Sequence, residues 1–291
     1  MHWADITLLI ITTHNTQVEE SLWELMGVRL KGFIPASVLP LLLITFFYLG
    51  PLVQSALDNP DGFSGELHSA LDVQSWRMCV QDAAWLRNQV VAPVTEELVF
   101  RGAMLPMLVP CTGATAVIFI APLLFGVGMT GNFGATMTSY STKARQNAPV
   151  DLQEFCCSCY NVCKLYFNFT VVLAHLHHII EQLQLGKDNV RAIFLGAGIQ
   201  FLYTTVFGVF AAFIFLRTGH IVGPVLCHSF CNSQGLPDIG SALSRPQRSA
   251  VLICYLTGVL LFLVMLFPFT DPFLYGARPV CSLAASQALE C

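Results

Sequence analysis

Charge is what this chain has least of. Charged residues fill 11% of its 291 positions, against roughly 25% in a soluble domain. The 14 basic residues are scattered singly under a net charge of -4, which excludes a basic stripe for nucleic acid. No internal repeat is visible, which argues against a solenoid or propeller. No Ser/Gly-rich or charge-rich linker divides the chain, so residues 1–291 read as a single polytopic domain. A secretory leader is also not apparent: the apolar run at residues 6–11 is short and has no basic region before it, leaving insertion to later helices.

What fills the space is hydrocarbon. Hydrophobic residues make up 55% of the chain and mean hydropathy is +0.64, more apolar surface than a soluble fold can hide. The expected fold is all-α, a polytopic integral membrane protein with about six to seven transmembrane or re-entrant helices enclosing an intramembrane active site. Residues 33–57 carry no charge and can cross about 30 Å of hydrocarbon, with Arg29 and Lys31 flanking them. Residues 58–76, with Pro60, Asp61-Gly62 and Gly65, read as a polar loop. Further helices are expected at 90–109, 112–127, 192–216 and 250–269. The segment 219–235, opened by Gly219 and Gly223-Pro224, reads as a broken or re-entrant entry. Eleven cysteines are present, but Cys111, Cys227, Cys231 and Cys254 lie singly in apolar runs, where a thiol behaves as a small hydrophobe.

Against this background a few polar clusters stand out, because ionisable groups at membrane depth are functional candidates by default. The first is Thr95-Glu96-Glu97-Leu98-Val99-Phe100-Arg101. In an α-helix Glu97 and Arg101 are i,i+4 and can pair, which points to a structural role. Glu96 lies about 100° round the helix without such a partner, a setting suited to general base work; a carboxylate at a watery interface with no chemistry is the competing reading. The second cluster is Ala174-His175-Leu176-His177-His178, in which His175 could orient a water against Glu96 while His177 and His178 are passengers. The third is Cys227-His228-Ser229-Phe230-Cys231-Asn232. His228 and Asn232 are i,i+4 and can converge as donors on one oxyanion, although singly such residues more often join helices.

Glu96-Glu97-Leu98-Val99-Phe100-Arg101 resembles the Glu-Glu-x-x-x-Arg motif of the type II CaaX prenyl endopeptidases, also called the Abi family. The runs Asn88-Gln89-Val90-Val91-Ala92-Pro93, His175 to Gln182, Arg217-Thr218-Gly219-His220, Gly223 to Asn232 and Pro272 to Gly276 are similar to its eukaryotic, Ras-converting members. The likeness covers roughly residues 22–127 and 174–280. It implies an enzyme that removes the last three residues from proteins with a prenylated C-terminal Cys-a-a-X cysteine, Ras-like small GTPases among them, in the endoplasmic reticulum membrane. By motif match it makes Glu96 the activating carboxylate, lets His175 help hold the water, assigns His228 and Asn232 to the oxyanion site, and gives Glu97 and Arg101 supporting roles. No metal or cofactor is implied. A zinc protease using Glu96, His175 and His228 is the alternative within enzymes; a noncatalytic scaffold or an impaired isoform is the alternative outside them.

Two departures from that pattern carry expectations of their own. Helices expected ahead of residue 22 are not replaced by residues 1–17, so the chain reads as N-terminally truncated. Residues 128–173 separate Phe125-Gly126-Val127 from Ala174-His175, which the family pattern joins. This atypical insertion holds Cys156, Cys157, Cys159 and Cys163, whose spacing is poor for zinc. Its closing stretch, Leu165 to Leu173, resembles a translated pyrimidine-rich splice tract, and a retained intron is the preferred reading over a regulatory loop.

Overall fold

The computed structural model describes residues 22–126 and 190–276; the insertion 128–173, His175, His177 and His178 fall outside the described residues. Every regular element among the described residues is helical, as the composition requires of backbone placed in lipid.

The stretch read as one span at 33–57 is two helices, α1 (Phe33–Phe47) and α2 (Leu49–Asp58), bent by 64°. Pro51 has no N–H to return to Phe47 and its ring crowds that carbonyl, which is sufficient cause for a sharp break. The polar loop expected at 58–76 is instead helical, as α3 (Pro60–Leu71) and α4 (Val73–Gln81). Its turn-forming residues are start signals. Asn59 caps α3 by accepting from the Gly62 amide, with Pro60 in the first turn, and Asp72 caps α4 by accepting from Gln74 and Ser75.

The segment expected as a plain helix at 90–109 alternates between helix types. A π-helical turn, π1 (Arg87–Val91), leads into α5 (Ala92–Glu97), then π2 (Leu98–Met104) and α6 (Leu105–Thr112). Wide π turns recur at functional sites. The helices expected at 112–127, 192–216 and 250–269 are α7 (Ala114–Gly126), α8 (Val190–Thr218) and α11 (Arg248–Phe269), while α9 (Val222–Gln234) occupies the 219–235 segment and a short α10 (Ile239–Ser244) follows it. Left-handed glycines stop two of them: Gly219 after α8 and Gly235 after α9, each amide closing on the carbonyl four residues back.

Among the described residues, Leu195–Thr218 and Arg248–Phe269 are long and apolar enough to cross a membrane, and the bent α1–α2 pair makes a third candidate. Only 11% of the α11 window is buried. Leu256, Leu260, Leu263, Val264 and Phe267 stand more than half exposed along it, an apolar surface too long to face water. The chain is an all-α membrane protein.

Two compact units divide the contacts. In the unit containing Leu98–Ile221 the core is hydrocarbon. Met104, Leu105, Leu108 and Val109 pack with Val117 and Ala121 of α7 and with Ala212, Phe215 and Leu216 of α8. In the unit Leu30–Glu97 with Val222–Gly276, α1 packs on α9 and α11, and α2 packs on α11. Glycines allow the last approach. A Cβ on Gly50 would fall 2.3 Å from the Tyr255 ring, and one on Gly258 would fall 2.4 Å from the Phe46 carbonyl oxygen, the small-residue contact typical of helices packed in lipid.

Candidate active site

The unit Leu30–Glu97 with Val222–Gly276 contains Glu96, Glu97, His228 and Asn232. α5 carries the carboxylates and α9 the imidazole and carboxamide, and these two helices pack directly. Glu97 is fully buried, and its Oε1 lies 2.8 Å from His228 Nδ1. At that distance the imidazole Nδ1–H donates to the carboxylate, which fixes the ring's orientation and leaves Nε2 for other work. On that second side is Glu96, whose Oε2 is 3.8 Å from Nε2, with its side chain 47% exposed. Such a gap is too long for a direct hydrogen bond and fits one bridging oxygen.

Two further ties flank the imidazole. Ser229 Oγ donates to Gln89 Oε1 at 3.2 Å, and Asn232 Nδ2 donates to the Asn88 carbonyl at 2.9 Å. Both partners belong to π1, so the wide turn, the glutamates and the His228 helix form one polar layer. Behind it, Tyr48 at the α1–α2 bend donates its hydroxyl to the Gly235 carbonyl just past α9 and stacks edge-on with Phe230 at 5.4 Å. Further along, Gln54 gives its amide to the Asp238 carbonyl and accepts from Tyr255, and Arg245 pairs with Asp58. Cys227 and Cys231 fill the buried side of α9 as small apolar groups.

The sequence singled out Glu96, Glu97, His228 and Asn232 without showing which atoms meet. Glu97 was expected to pair with Arg101 on an α-helical register. The turn carrying Arg101 is π-helical. Arg101 is 6% exposed, and its Nη2 donates to the Gly208 carbonyl at 3.2 Å. Asn88, Gln89 and Ser229 were missed as site residues. Their signal was present but weak: polar side chains next to the two motifs in an apolar context. Among the described residues, no group of three or more His, Cys, Asp or Glu side chains is arranged to hold a metal ion.

Two neighbouring carboxylates set against one histidine of a facing helix form the centre of this site. The family model described as Type II CAAX prenyl endopeptidase Rce1-like matches residues 81–143 and 152–234. CAAX prenyl protease 2 of Homo sapiens is 46% identical over 281 residues, covering 97% of this chain and 69% of that protein. The protein of the same name from Rattus norvegicus is 40% identical, covering 99% of this chain and 71% of the relative. That of Arabidopsis thaliana is 31% identical, covering 86% and 68%. No solved structure matches. The chain belongs to the Rce1-like family of type II CAAX prenyl endopeptidases.

Proposed function

We propose that this protease cleaves prenylated CaaX proteins by water that Glu96 activates. The Glu96–His228–Glu97 arrangement carries the reading, with 3.8 Å on the Glu96 side of the ring and 2.8 Å on the Glu97 side. Glu96 takes a proton from a water as the oxygen attacks the carbonyl carbon of the prenylated cysteine, whose bond to the next residue is the scissile peptide. The oxyanion that forms is held by the N–H of His228 Nε2 and by an N–H of Asn232. Glu97 accepts from Nδ1 and so fixes the ring with Nε2 turned toward the oxyanion. Glu96 then returns its proton to the leaving amine as the carbon–nitrogen bond breaks, releasing the aaX tripeptide and a new cysteine carboxylate. His175 helps hold the water, and Arg101 supports the segment that follows Glu97.

The substrates are farnesylated or geranylgeranylated proteins such as Ras-like small GTPases, and the enzyme resides in the endoplasmic reticulum membrane with about six to seven transmembrane or re-entrant helices. The apolar surface of α11 and the bent α1–α2 pair support that placement. Residues 128–173 are an insertion within the single catalytic domain, a retained intron by their composition. The test is release of the tripeptide from a farnesylated CaaX peptide by membranes containing this chain. Glu96→Gln should lower the rate roughly 100- to 10000-fold, the span of general base contributions, while expression stays level. Deleting 128–173 should raise the rate. A Glu96→Gln variant within about tenfold of the parent would remove Glu96 from the chemistry.

A further inference from the structure

We propose that Pro93 is a positioning residue: by withholding an N–H from the Asn88 carbonyl, it leaves that oxygen to orient the Asn232 carboxamide. This rests on the reading of Asn232 as an oxyanion donor. In π1 the Ala92 amide bonds to Arg87 O, five residues back. The next amide in that register would serve Asn88 O, and it belongs to Pro93, which has none. The α-helical donor for Asn88 O would be Ala92, already engaged with Arg87. A carbonyl without a helical donor must find another partner, and Asn232 Nδ2 meets it at 2.9 Å.

The consequence concerns which end of the carboxamide faces the substrate. A free carboxamide can turn over, exchanging its NH2 for an oxygen of similar size. An oxygen aimed at a developing oxyanion would repel it. Facing a fixed carbonyl, the Asn232 side chain cannot turn over, because its own Oδ1 would then oppose Asn88 O. Nδ2 is held in place by one N–H, and the second N–H on the same nitrogen remains to donate. The proline, the π turn and the distant asparagine thus act together, with no side chain of Pro93 or Asn88 touching the substrate.

Pro93→Ala returns an N–H that can compete for Asn88 O while removing nothing from the oxyanion site. Turnover of a farnesylated CaaX peptide should fall about 10- to 100-fold, the scale of a small misplacement, with KM little changed. The melting midpoint should hold or rise, since a helical bond is gained. In an Asn232→Ala background the same change should add nothing. Pro93→Ser, which also carries an N–H, should repeat the pattern. Turnover within about twofold of the parent, or losses at Pro93 and Asn232 that multiply, would overturn the proposal. So would a kcat loss that comes with a lowered melting midpoint in both Pro93 variants. If Asn232→Ala itself keeps full turnover, the oxyanion reading fails and this proposal with it; a slow Asn232→Ala beside a fast Pro93→Ala sinks only the role of Pro93.

Discussion

The two units hold together by different means. In the one that contains Leu98–Ile221, the interior is apolar side chains in contact, Leu105, Leu108, Val117 and Phe215 among them, all at most 1% exposed. In the other, helices are cross-linked by long-range hydrogen bonds: His228 to Glu97, Ser229 to Gln89, Asn232 to Asn88, Tyr48 to Gly235 and Tyr255 to Gln54. Lipid tails are as apolar as leucine, so burial alone gives membrane helices little reason to choose one register. Directional bonds do give such a reason, and here they join the helices that carry Glu96, Glu97, His228 and Asn232.

A paired experiment breaks that comparison most sharply. Glu97→Ala removes a fully buried acceptor from a half-buried histidine and should cost about 3–5 kcal/mol of stability as well as most activity. Glu97→Gln keeps an oxygen for Nδ1 but removes the negative charge beside the ring. Its turnover should fall about 100-fold with a nearly unchanged melting midpoint. Leu105→Ala should show the reverse, losing about 2–5 kcal/mol from the cavity it leaves while the remaining folded enzyme turns over normally. Melting curves and rates on the same preparations decide it. A Leu105→Ala enzyme that is stable but slow would mean that the apolar core sets the active geometry after all.

Close backbone approach is the next smaller lever. A methyl group on Gly258 would lie 2.4 Å from the Phe46 carbonyl oxygen and 3.0 Å from Leu49 Cβ. Gly258→Ala must therefore push α11 off the α1–α2 bend, at the roughly 1–3 kcal/mol typical of overpacking. Tyr48 sits in that bend and bonds past the end of α9, so turnover should fall along with the melting midpoint. Gly196→Ala is the control, since nothing lies within 4 Å of a Cβ there. If Gly258→Ala melts like the parent, the close approach is not what fixes the bend.

Much of this was legible because charge is so scarce. In a chain 11% charged, Glu96, Glu97, His228 and Asn232 are conspicuous, and apolar length alone marks α8 and α11. Local geometry was harder to read. The hydrophobic pattern does not reveal that Leu98–Met104 is π-helical. The Glu97–His228 contact spans 131 residues, and no periodicity encodes it. The loop expected at 58–76 failed for another reason. Asn59-Pro60-Asp61 and Asp72 followed by Ser75 are helix starts, and glycine and proline in the same stretch were weighed as breakers.

Those capped helices have neither the apolar core nor the cross-links, and the smallest expected effect lies there. Asp72 accepts from the amides of Gln74 and Ser75 and from the Ser75 hydroxyl. These bonds, the Gln74 amide first, hold its carboxyl below the usual 3.8. A group whose folded pKa is lowered stabilises the fold above its unfolded pKa and loses that contribution as pH falls through the folded value. Amide protection at Gln74 and Ser75, corrected for intrinsic exchange, should stay flat from about pH 7 to 5 and drop only below about pH 4. Asp72→Asn keeps an accepting oxygen without a titrating proton, so its protection should not follow that acid step. Because Asp72 is solvated, the loss should stay local, as expected of a segment that opens without the rest, and peptide cleavage at neutral pH should be unchanged in Asp72→Asn. A fall in protection between about pH 7 and 5 in the parent would mean that another group, not the Asp72 cap, secures the start of α4.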